Sequence, residues 1–124
     1  MAGFVFRSKK GKDIEVPVPP APLADTHGHL TCFRTLDVAD ALAHAALAGL
    51  RLLVVPIDIV DDFGERWRTA GDLLAWLDTQ VERAHTSLDD TAGEGLEPPT
   101  FNGWGVPELL DNVHIVAGAH PYGA

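Results

Sequence analysis

Cysteine is almost absent from this chain: Cys32 is the only one in 124 residues. A disulfide framework needs pairs, so that class is excluded. Basic residues are scarce too, with nine Lys and Arg against eighteen Asp and Glu, a formal charge of −9. A protein that binds nucleic acid by charge neutralisation shows the reverse balance. No apolar run approaches the ~20 residues of a membrane-spanning helix. The N-terminal residues MAGFVFRSKKGKDIE lack the charged-then-apolar order of a cleaved signal. The expected setting is therefore cytoplasmic. Also missing are a phosphate loop, a dinucleotide glycine fingerprint and a serine elbow.

What is present is ordinary globular composition. Apolar residues make up 46% and charged residues 22%, too apolar for the disordered class. The length fits one small domain or part of a larger one, at about 100–200 residues per domain. The charge is unevenly placed. Arg7, Lys9, Lys10 and Lys12 crowd the N-terminus, while residues 58–111 hold thirteen acids against Arg66, Arg68 and Arg83. The ordinary role of such acids is a solvated face.

Residues 1–22 form a first unit. Phe4-Val5-Phe6 and Ile14-Glu15-Val16 are β-prone, and the polar, glycine-containing stretch between them predicts a β-hairpin. Pro17, Pro19, Pro20 and Pro22 then make a stiff linker. Residues 23–124 form the second unit. Leu23-Ala24-Asp25 opens a short strand, and residues 36–50 are rich in Ala and Leu, which favours a helix stopped at Gly49. The continuous apolar run of residues 52–57 predicts a strand buried on both faces. Trp67, Ala70, Leu74, Leu77, Val81, Ala84 and Leu88 step by three and four, so they predict one helical stripe, with Trp76 on its flank. Residues 89–108 lose periodicity and read as a surface insertion with a short helical turn near Leu109. Residues 113–118 are a third strand. Strand, helix, strand, helix, strand implies parallel pairing with crossovers, an α/β architecture.

The chemistry concentrates at Asp25-Thr26-His27-Gly28-His29. Residues two apart in a strand point the same way, so His27 and His29 would aim at one ion with Gly28 leaving room between them. Imidazoles suit zinc and other divalent metals. Asp25 would hold a ring N–H behind them. A catalytic zinc site usually takes three protein ligands, so the pair is incomplete by itself. Gly118-Ala119-His120-Pro121 lies at the end of the third strand, on the same rim if the strands are parallel. Asp58, ending the second strand, reads equally as a rim group or a turn residue. Cys32 reads as a buried thiol, and His44, His85 and His114 as isolated histidines without a ligand role.

Asp-x-His-x-His on the first strand, with Gly-x-His-Pro on the third, resembles the TatD family of metal-dependent hydrolases, many of them deoxyribonucleases. The resemblance covers residues 23–58 and 112–124. It implies the N-terminal portion, about three β/α units, of a TIM-type (β/α)8 barrel, preceded by the hairpin. It implies that His27 and His29 hold a divalent ion (Zn, Mg or Mn) and that His120 is catalytic, helping to position a phosphate or the attacking water. DNA or another phosphodiester would be the substrate. The family's bridging Glu, two later His and late Asp have no counterpart after Gly-x-His-Pro. Gly93-Glu94-Gly95-Leu96-Glu97 echoes the glutamate motif but precedes that point, so Glu94 reads as a decoy. Such barrels run to about 250 residues, so 124 residues would be an incomplete enzyme, inactive alone, with open sheet edges and marginal stability. Two alternatives share the first-strand histidines: an amidohydrolase-like enzyme acting on amides, esters or lactones, and a non-catalytic fragment.

Overall fold

The computed structural model describes residues 6–7, 13–14, 17–31, 37–59 and 66–118. Strands β1 (Phe6–Arg7) and β2 (Asp13–Ile14) pair antiparallel, Phe6 opposite Ile14. The larger body is a three-stranded parallel sheet with two helices. Its elements run β3 (Leu23–Asp25), α1 (Val38–Leu47), β4 (Leu50–Asp58), α2 (Ala70–Gly93), a 3-10 turn (Leu109–Asp111) and β5 (Val113–Gly118). The sheet order is β3-β4-β5, so the strands lie side by side in chain order. Asp25 registers with Leu53 across β3–β4, and Asp58 with Gly118 across β4–β5.

Helix α1 forms from an Ala- and Leu-rich run and buries Ala39, Leu42, Ala43, Ala46 and Leu47. Gly49, at φ +104°, supplies the left-handed conformation that turns the chain into β4. Helix α2 opens with a capping box: Asp72 N–H donates to Thr69 Oγ1 at 3.1 Å, and Thr69 N–H donates to Asp72 Oδ2 at 3.2 Å. The helices are tied by Arg83 Nη2 donating to Asp37 Oδ2 at 2.7 Å. Both side chains are substantially exposed, so this pair contributes at most about 1 kcal/mol.

The core does most of the holding. Leu53, Val55 and Ile57 of β4 form one cluster with Leu42 and Ala46 of α1, Leu73, Leu77 and Ala84 of α2, and Leu109 and Leu110 of the 3-10 turn. Each fully buried side chain of this size contributes about 1.5–3 kcal/mol. Both helices join this one cluster and so lie on the same side of the sheet, α2 packed chiefly against α1.

That arrangement corrects the expectation of a strand buried on both faces. Burial in β4 alternates strictly, and Leu52, Val54 and Pro56 on the far side are only partly covered. On β5 the corresponding Val116 is 52% exposed. A continuous apolar run is compatible with burial on either one or two faces, and here only one is layered with helices.

The α2 stripe holds at Trp67, Leu77 and Ala84, with Val81 and Leu88 packed beside them, but departs from expectation at its N-terminal end. Leu73, Leu77, Gln80 and Ala84 are buried, while Ala70 is exposed and Leu74 is 54% exposed. Gln80 is tolerated inside because its Oε1 accepts from Arg83 Nη1 at 3.2 Å. Trp76 packs against Trp67, ring centroids 5.1 Å apart. The helix runs five residues past Leu88. It stops where Leu96 N–H donates to Thr91 O and Gly95 N–H to Ala92 O, with Gly95 at φ +87°. These two bonds make a Schellman stop. Glu94 is the C-cap residue, exposed at the end of this helix.

The segment after Gly95 folds under the sheet. Arg51, buried at the start of β4, donates from Nη2 to Pro99 O at 2.6 Å and pairs with Glu108 Oε1 at 3.2 Å. Its guanidinium sits 5.2 Å from the Phe101 ring centroid. Asn112 Nδ2 donates to the Arg51 carbonyl at 2.7 Å. The segment is a surface loop as expected, with residues 97, 100 and 102–108 exposed, and it also covers Arg51 at the N-terminal end of β4.

Candidate metal centre

The histidine pair stands just past β3. The strand ends at Asp25, and residues 26–31 form a bend. The two-residue alternation of a strand therefore does not orient the imidazoles. Local bonds do. His27 N–H donates to Asp25 Oδ1 at 2.9 Å, folding the chain back on itself. Asp25 thus holds backbone, rather than an imidazole N–H as its position suggested. Gly28 N–H then donates to Val54 O at 3.0 Å, crossing to the neighbouring strand. A Cβ at Gly28 would collide with Leu53 Cδ1 and come within 3.1 Å of Asp25 Oδ2. Glycine avoids displacing these two side chains. Leu30, 4% exposed, anchors the far side in the core.

These constraints bring His27 Nε2 to 3.1 Å from His29 Nε2. The rings meet edge to face, centroids 4.9 Å apart and planes at 77°. Two nitrogens bound to one ion at about 2.0–2.1 Å lie about 2.9 Å apart at a right angle and about 3.3 Å apart at a tetrahedral angle. The observed separation falls between these values, and without an ion the same distance is the length of a direct imidazole–imidazole hydrogen bond. The donor set, two imidazoles with no thiolate, suits a borderline divalent metal. Both residues are exposed to solvent. The residues present fit one ion as a two-nitrogen half-site.

Other rim groups are less closely tied to the pair. Among the described residues, no third His, Cys, Asp or Glu completes a metal-holding group with it. Asp58 ends β4 opposite Gly118, the last residue of β5. His120 and Cys32 lie outside the described residues. His44 occupies the last turn of α1, and His85 lies exposed on α2. His114 points away from the core on β5, with its Nε2 2.8 Å from Asn112 Oδ1.

One rim contact was not anticipated. Arg66 Nη2, from the β4–α2 connection, donates to Thr31 O at 3.2 Å. Thr31 is two residues past His29, so the second rim connection touches the segment that carries the pair. Nothing in the local sequence around either residue announces it, because the partners are 35 positions apart.

Among the described residues, no helix is long and apolar enough to cross a membrane. No family model matches the chain, and no curated protein or solved structure matches it either.

Proposed function

We propose that this chain is the N-terminal part of a TatD-type metal-dependent hydrolase, working in the cytoplasm, that cleaves phosphodiesters such as DNA. The observation that carries the reading is the 3.1 Å separation of the two Nε2 atoms beyond the C-terminal end of β3. Three parallel strands in chain order, with both helices on one face, support a barrel wall. A doubly wound sheet carries helices on both faces. In β/α barrels the reacting groups gather where the strands end, which is where the pair stands.

His27 and His29 would hold a divalent ion, Zn, Mg or Mn, through Nε2. When bound, that ion supplies a Lewis acid that lowers the proton affinity of water and offsets phosphate charge. The charge of −9 then no longer opposes an anionic substrate at this point. Asp25 orders the backbone that presents His27. His120, two residues beyond β5, would help position the phosphate or the attacking water.

Calorimetric titration of the chain with zinc tests the reading. The expected result is one ion per chain held weaker than about micromolar, because two of the usual three protein ligands are in place. Binding should vanish in His27→Ala and in His29→Ala. Equal binding by wild type and both variants would overturn it. Metal-dependent cleavage of an oligonucleotide, set against an ester substrate, separates the phosphodiesterase from an amidohydrolase-like enzyme; turnover of the ester alone would remove the nuclease assignment.

A further inference from the structure

The histidine segment is held at both ends, and the two ends are held by different parts of the molecule. Its start is fixed from within β3 and β4, through His27 N–H on Asp25 and Gly28 N–H on Val54. Leu30 plugs it into the core. Beyond Leu30 the Thr31 carbonyl takes its hydrogen bond from Arg66. His29 therefore lies between a backbone clamp at Gly28 and a side-chain clamp at Thr31. An imidazole Nε2 sits at the far end of its side chain, so a small backbone rotation is amplified at that atom. A pair that must stay near 3 Å is sensitive to this in a way that a lone histidine is not.

We propose that Arg66 is a positioning residue for this pair: by holding the Thr31 carbonyl it keeps His29 Nε2 at ion-sharing distance from His27 Nε2. The proposal rests on the metal-site reading for its purpose but not for its test. Arg66 does not touch the ion. It acts through the backbone of the segment and links it to the residues that lead into α2. A guanidinium suits the task because it directs a charged donor at a carbonyl from a long, adaptable stem. Thr69 and Asp72 cap α2 a few residues later, so the Arg66 end of this link starts near a well-held helix.

The test compares wild type, Arg66→Ala, Arg66→Lys and His29→Ala. Arg66 is exposed, so its replacement should leave the thermal melt unchanged. In metal-free protein, amide exchange of residues 27–31 by NMR should quicken in Arg66→Ala. Cobalt(II), followed by its visible d–d bands, should bind Arg66→Ala about tenfold more weakly, the lower end of what losing a ligand-orienting partner does. Arg66→Lys, which still donates to a carbonyl, should recover most of both losses. Unchanged exchange in Arg66→Ala overturns the proposal, and so does a general fall in stability that accounts for both effects. If wild type and His29→Ala take up cobalt alike, the metal reading falls, and the exchange data alone decide the role of Arg66.

Discussion

At the N-terminal ends of the strands a charged side chain is buried. At the C-terminal ends two imidazoles stand in solvent. Arg51, 7% exposed, is enclosed by Pro99, Phe101 and Glu108, and its own carbonyl is held by Asn112. His27 and His29 are exposed and face each other. Both ends use polar groups to hold the backbone, but only the lower end hides them. Hiding a guanidinium is costly unless its donors are satisfied. Three contacts offset that cost, although Arg51 Nε keeps no partner. At the exposed end the two side chains face solvent and their Nε2 atoms contact each other. Under the proposed function, the buried end holds the fold and the exposed end carries the chemistry.

Substitutions at each end should separate these roles. Arg51→Ala should have the largest effect on stability, about 2–3 kcal/mol, since it removes a charged hydrogen bond and leaves the Pro99 carbonyl bare. Urea denaturation measures it, and Glu-specific proteolysis after Glu94 and Glu108 should accelerate in parallel. Metal binding at the opposite end should be retained. Gly49→Ala comes next. At φ +104° a side chain is strained, and its Cβ would press on Pro19 Cγ at 2.6 Å, so a loss of about 1–3 kcal/mol is expected in the same assay. His29→Ala should change stability by no more than about 0.5 kcal/mol, as for other exposed sites, while abolishing the uptake of zinc. A loss above 1 kcal/mol on denaturation of His29→Ala would blur the contrast by making the histidine part of the scaffold, whereas near-zero effects at Arg51 would dissolve it from the other side.

Much of the sheet and both helices were legible because their signals are local. The β3 and β5 boundaries follow from short apolar runs and their flanking residues, and parallel pairing follows from strand–helix alternation. The failures share a cause. Periodicity made α2 a helix and placed Trp67, Leu77 and Ala84 inside, but it missed Leu73 and wrongly included Leu74, because the exact phase is settled by what the helix packs against. The helix continued through Gly93 because a Schellman stop needs left-handed Gly95, a signal present in the sequence but hidden among neighbouring glycines. The segment after it is the surface loop that was read, but its contact with Arg51 was not legible because Arg51 and Pro99 are 48 positions apart.

At the candidate site, His27 and His29 come together for a different reason than strand alternation. They lie in a bend, and Gly28 matters because Val54 and Leu53 come so close.

The sequence by itself determined the chemical inventory and the order of the elements: two histidines around a glycine, an acid before them, and alternating apolar strands and helices. These are properties of residue type and near spacing, which the chain carries without folding. Only the tertiary structure decided which sheet face is covered, which end Arg51 closes, and that the two imidazole nitrogens stand 3.1 Å apart. Those outcomes depend on contacts between distant segments, through Val54, Arg66 and Pro99, and such contacts exist only once the strands lie side by side.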